Sequence, residues 1–221
     1  MELDMRSQEG LTANDARDNR VVEAAAALFL REGVTQVRMT DIAEEAGLGV
    51  ATLYRHFSTK VTIAAAAGRL IWQRLNKLLH VLLASPEYAA KSGLGQLEAL
   101  LDAYLDLIAD NPGFVVFVDE FDHLALTEGV EPEALAAYGQ EVDRFYDEFE
   151  AAYELGRRDG SIKRSVDFAV YYRAVMHALM GVAQKLSRGE IIPGDDFSHG
   201  GLELHAICEM AVLSLTVAAD N

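Results

Sequence analysis

Apolar residues recur at helical spacing along nearly the whole chain. Val21, Val22, Ala25, Ala26, Leu28 and Phe29 make one broad stripe within residues 16 to 32, and Gly33 follows where a helix can stop. Val34 and Val37 lead to Thr40, a residue type that caps helix N-termini well. Ile42, Ala43 and Ala46 then share one face of a short helix closed by Gly47, with Leu48 as an apolar plug. A second short helix, starting near Gly49 or Val50, turns Leu53 and Phe57 inward and leaves Val50, Ala51, Thr52 and Arg55 on other faces. The stretch from Thr40 to Lys60 is therefore helix-turn-helix geometry, whose second helix can enter a DNA major groove.

Beyond Lys60 the stripes lengthen. Residues 59 to 84 carry Ile63, Ala67, Leu70, Ile71, Leu75, Leu78, Leu79 and Leu82, ended by Ser85 and Pro86, and residues 85 to 93 read as a loop. Further helices are expected over 95 to 109, 131 to 158, 166 to 187 and 197 to 219. Residues 113 to 126 are rich in Phe and Val and have strand propensity, but no other strand exists to pair with them, so they too are read as helix. The expectation is an all-α chain of about nine helices. Residues 1 to 15 form a flexible arm, 16 to 60 a three-helix unit that holds the helix-turn-helix, and 61 to 221 a bundle of about six helices.

Composition narrows the class. With 51% hydrophobic and 24% charged residues and four prolines, the 221-residue chain is folded rather than disordered. No secretory signal is evident in MELDMRSQEG, and no apolar run approaches the roughly 18 residues of a membrane-spanning helix. The single cysteine, Cys208, has no disulfide partner, which suits a reducing cytoplasm. A net charge of −16 weighs against a nucleic-acid partner until its distribution is considered. Residues 1 to 69 carry eight Lys/Arg against ten Asp/Glu, whereas residues 70 to 221 carry eleven against twenty-five. The excess of acid lies almost entirely outside the helix-turn-helix.

The order VVEAAAALFLREG, then TDIAEEAG, then TLYRHFSTK resembles the TetR-type transcriptional regulators. Ala25, Phe29, Gly33, Thr40, Ile42, Ala43, Ala46, Gly47, Leu53, Tyr54, His56, Phe57 and Lys60 stand in register, covering about 45 residues, a fifth of the chain. Gly49 departs from the usual Ser or Thr cap, and Val61 from the usual acidic residue. The resemblance implies a homodimeric, ligand-responsive regulator, most often a repressor, on a double-stranded, pseudo-palindromic operator. It implies phosphate contacts from Tyr54, His56 and Lys60, to which the Thr40 hydroxyl adds a donor. Val50, Ala51, Thr52 and Arg55 would read bases, Arg55 through guanine and the small residues through thymine methyls. It also places the dimer contact on the last two helices. Ala174, Ala178 and Gly181 offer a small-residue face there, and Leu204, Cys208, Ala211 and Leu215 a second at i, i+4, i+7 and i+11; both could instead bury within one protomer.

For the effector, the concentration of aromatics between residues 70 and 180 suggests a mostly apolar pocket. Trp72, Tyr104, Phe117, Glu120, Phe121, Phe145, Phe149, Tyr172 and Met176 are its candidate lining; Asp119, Glu120 or Glu148 would favour a cationic ligand. Asp119, Glu120 and His123 also have helical metal-ligand spacing, but a second Glu-x-x-His is lacking, so neither metal nor cofactor is expected. No phosphate loop, dinucleotide glycine pattern or nucleophile motif is present, and no catalytic residue is assigned. The competing reading is a helical enzyme or small-molecule carrier that retains the helix-turn-helix as scaffold.

Overall fold

The computed structural model describes residues 13 to 189, 194 and 196 to 217, and these contain ten helices and no strand. Residues 1 to 12 of the expected arm lie outside the described residues; residues 13 to 15 already belong to helix α1, Ala13–Glu32. Two short helices follow, α2 (Met39–Glu45) and α3 (Val50–His56), and then the long α4 (Lys60–Leu83). The body is completed by α5 (Pro86–Ala89), α6 (Gly93–Asp110), α7 (Pro112–Glu128), α8 (Pro132–Asp159), α9 (Phe168–Arg188) and α10 (Gly200–Thr216). The tenth helix is α5, a single turn inside the expected loop, started by Pro86 at its first turn and by Ser85 Oγ accepting from Tyr88 N at 3.1 Å. Residues 113 to 126 are helical, within α7, whose first turn also holds a proline.

Turn chemistry fixes the small N-terminal unit. Gly47 adopts φ +65°, Leu48 N donates to Ala43 O at 2.8 Å, and Gly47 N donates to Glu44 O at 3.0 Å. This is a Schellman C-cap, and it turns the chain sharply from α2 into α3. Val21, Phe29, Ile42, Ala46, Leu53 and Phe57 close the core of this unit, and Val22 is only partly buried against it. Val61, the second residue of α4, is buried as well, so its departure from an acidic residue adds apolar surface to the interior.

α4 packs along α1 on one side and α8 on the other, while α6, α7 and α9 complete the bundle and α10 lies on α9 and α6. A polar tether centred on Glu141 crosses the α4–α8 contact. Buried Glu141 accepts from Gln73 Nε2 at 2.9 Å, and its carbonyl accepts from Asn76 Nδ2 at 2.9 Å. Arg144 Nε stands 3.2 Å from the same carboxylate and Arg69 Nε 3.9 Å. A buried carboxylate is costly unless paired in this way.

Candidate nucleic-acid interface

α3 is held by Leu53 and Phe57, which point into the core, so Val50, Ala51, Tyr54 and Arg55 are exposed and Thr52 is half-buried. Tyr54 is 51% exposed, and its ring and hydroxyl are available to a partner. Gly49 caps α3 at φ −71° and ψ 141°, an extended conformation open to any residue, and supplies no side-chain bond. The base-reading candidates thus lie on one outer surface, presented by a helix of seven residues.

The start of α2 differs from expectation. Thr40 is the second residue of the helix, and Arg38 is the N-cap. The role expected of Thr40 falls to Asp41, whose Oδ2 accepts from Arg38 N at 2.9 Å, because an acid at the third helical position can reach back to the cap amide. Asp41 also accepts from Arg38 Nη2 at 3.0 Å, and these bonds from Arg38 hold its carboxyl below the usual carboxylate range. Thr40 remains exposed and donates to Asp41 Oδ1 at 3.3 Å. Arg38 was not singled out from the sequence, yet it is 79% exposed on its side chain beside the α2–α3 surface. Its signal was the spacing of Arg38 and Asp41 at a helix start.

Two expected phosphate donors are engaged within the chain. Lys60 Nζ donates to the carbonyls of Val34 at 2.9 Å, Val37 at 3.2 Å and Thr35 at 3.4 Å. Three acceptors use all three ammonium hydrogens, so in this conformation Lys60 is a clamp on the α1–α2 loop rather than a free donor to DNA. The carbonyls also offset the unfavourable placement of a cation at the N-terminus of α4. His56 Nδ1 stands 2.7 Å from Asp18 Oδ1 of α1, an ion pair whenever the imidazole carries its second proton. The two are not aligned as a hydrogen bond, and that buried oxygen has no hydrogen-bond donor.

The residues expected to line an effector pocket mostly fill the body instead. Trp72 meets Phe114 and Phe145 edge-on at 5.1 and 5.4 Å, and its Nε1 donates to Tyr138 Oη at 3.0 Å. Tyr104 packs on Phe145, Phe117 on Phe121, and Phe149 on Tyr172, while Met176 is buried beside them. Aromatic rings at these separations satisfy one another and leave little space between them. Burial pushes the Tyr138 hydroxyl up to about 12, against the lowering effect of the Trp72 bond. Phe145 does border a 190 Å³ cleft with Leu75, Leu79, Leu82 and Leu107, between α4 and α6. A larger cleft of 510 Å³ runs among α1, α4 and α8, walled by Val22, Phe57, Ala65, Arg69, Gln73 and Ala134. Glu120 faces the N-terminal unit, where its Oε2 accepts from Thr35 N at 2.7 Å. Asp119 is paired with Arg188, and no group of three or more His, Cys, Asp or Glu among the described residues is placed to hold a metal.

The expected dimer residues divide. Ala174, Ala178 and Gly181 are exposed on α9, and a Cβ on Gly181 would meet nothing within 4 Å. Leu204, Cys208, Ala211 and Leu215 are buried inside the protomer, because α10 uses that stripe to pack on its own α9 and α6. The open face of α10 carries Leu202, Met210 and Leu213 instead, and the exposed Val217 follows its last residue.

The model of a protein family described as bacterial regulatory proteins, tetR family, matches residues 21 to 67, which span α1 from Val21, α2, α3 and the first turns of α4. Over that fifth of the chain the helix-turn-helix unit is similar to the tetR-family regulators. Over a longer stretch the chain is 26% identical to the HTH-type transcriptional repressor KstR2 of Rhodococcus jostii, across 167 residues that cover 73% of this chain and 76% of that one. An HTH-type transcriptional regulator of Staphylococcus aureus is 50% identical over 48 residues, 21% of this chain and 26% of its own length. Among solved structures, a putative transcriptional regulator of Saccharomonospora viridis in complex with choline superposes with a TM-score of 0.63 at 23% identity, covering 88% of this chain and 96% of the other. That likeness shows a shared fold through the helical body.

Proposed function

We propose that the protein is a TetR-type regulator that acts in the cytoplasm as a homodimeric repressor, without enzymatic activity, and leaves a pseudo-palindromic operator when a small hydrophobic effector binds its body. The observation that carries this reading is the exposed face of α3, with Arg55, Tyr54 and two small apolar residues, held outward by the burial of Leu53 and Phe57. Arg55 suits guanine, and Val50 and Ala51 suit thymine methyls. Tyr54, Thr40 and Arg38 supply donors for phosphates, and the acid elsewhere in the chain suppresses non-specific binding.

Dimerisation is supported by two adjacent apolar faces without a partner in the protomer: Val170, Ala174, Ala178 and Gly181 on α9, and Leu202, Met210 and Leu213 on α10, continued by Val217 just past its end. The α4–α6 cleft beside Phe145 is the site we propose for the effector. At 190 Å³ this space is smaller than an ordinary ligand pocket, so an occupant must part the two helices. Preference for a parted state is the differential affinity that shifts a two-state equilibrium away from the DNA-bound form. The test is selection by the wild-type protein from a pool of random duplexes. Enrichment of sequences with two related half-sites about 34 to 36 Å apart is expected; a pool that stays random refutes the reading.

A further inference from the structure

α7 touches the N-terminal unit at three successive points along one face. Gly113 approaches α1 so closely that a Cβ there would stand 1.9 Å from Leu30 O. Phe117 stacks on Phe29 at 6.2 Å. Glu120 accepts from Thr35 N at 2.7 Å, in the loop between α1 and α2. These residues stand at i, i+4 and i+7, so they form a single helical stripe.

The last point is polar and specific. Gly33 turns at φ +83°, and a Cβ on it would lie 2.8 Å from Glu120 Oε2, so the loop is shaped to admit the carboxylate. Lys60 grips the same loop from the opposite chemical side through the carbonyls of Val34, Thr35 and Val37. The loop leading into α2 is thus held between a carboxylate on α7 and an ammonium at the head of α4. A shift of α7 relative to α4 has to release one hold or carry the loop with it.

From this geometry we infer that Glu120 is a positioning residue for operator binding: through Thr35 it sets the loop that carries α2 and α3, and it makes their placement answer to α7. The inference rests on the α2–α3 unit being the DNA reader. Its sign distinguishes it from simple electrostatics. Removing a negative charge from an acidic protein should tighten DNA binding, whereas loss of the acceptor should weaken it.

The experiment measures binding of a duplex selected by the wild-type protein, together with amide exchange at Thr35 and the unfolding midpoint. Glu120→Ala is expected to bind that duplex at least about fivefold more weakly, the scale of inter-site coupling, with faster exchange at Thr35. Glu120→Gln loses the same charge but keeps an acceptor, and should stay within about twofold of wild type. Asp119→Asn, one residue away and paired within the body, should do the same. Glu120→Asp keeps the charge and shortens the reach, and should fall between; it also tests the idea if the alanine variant folds poorly. Binding by Glu120→Ala or Glu120→Asp as tight as wild type, or an equal loss in Glu120→Gln and Asp119→Asn, overturns the inference while leaving the regulator reading intact. A wild-type protein that selects no duplex overturns both.

Discussion

Phe117 of α7 stacks on Phe29 of α1 with ring centroids 6.2 Å apart and planes 27° from parallel. Both rings are fully buried, and Phe117 continues to Phe121 at 5.8 Å, which in turn packs on Tyr138 at 4.9 Å. The interior of the DNA-binding unit is therefore continuous with the interior of the body. Phe117→Ala should cost about 3 to 5 kcal/mol and leave unfolding a single transition. Urea denaturation followed by circular dichroism checks this; two separated transitions would show that the units fold apart.

Arg55 and Lys60 should separate by kind of effect. Arg55 is exposed on α3, and Arg55→Ala should cost about 1 to 3 kcal/mol on the preferred duplex while relaxing preference at one base position. Lys60→Met removes three donors to loop carbonyls and should destabilise the fold by about 1 to 3 kcal/mol, with binding weakened alike on all sequences. Parallel selections with each variant make the comparison. Unchanged base preference in Arg55→Ala would assign Arg55 to the phosphate backbone.

The two faces of α10 should respond differently. Met210, 61% exposed, and Leu213 lie on the open face, and Met210→Glu with Leu213→Glu should give a folded monomer in sedimentation experiments. Leu204, 8% exposed, belongs to the protomer core, and Leu204→Ala should lower stability by about 2 to 5 kcal/mol without itself changing the stoichiometry. A dimer that survives both glutamates would move the interface elsewhere.

Gly47 isolates a backbone effect. With φ at +65° and nothing within 4 Å of its would-be Cβ, Gly47→Ala should destabilise by about 1 to 2 kcal/mol through conformation alone. Gly47→Asn should cost less, since Asn tolerates that region. Comparable midpoints for the alanine variant and the wild type in urea would contradict the assignment.

Helix spacing made the architecture legible in the sequence because nearly every helix buries a wide apolar stripe, and α5 escaped it by being a single turn. The outward face of α3 was legible for the same reason: Leu53 and Phe57 define what points inward, and the rest follows from the helical period. Periodicity cannot say what an inward stripe packs against. Leu204, Cys208, Ala211 and Leu215 have the spacing of an interface, but their partner is the protomer's own α9 and α6. The bonds of Lys60 and Glu120 are hidden from the sequence for a related reason. The two side chains bond backbone groups 23 to 26 and 85 positions away, and a long-range bond to a main-chain atom leaves no mark in side-chain pattern.

The most direct measurement compares the wild-type dissociation constant for its selected duplex with that for random duplex of equal length at physiological salt. The account predicts a preference of about a thousandfold or more, two protomers per duplex, and affinity that falls steeply as salt rises. Equal affinity for the two duplexes would contradict it.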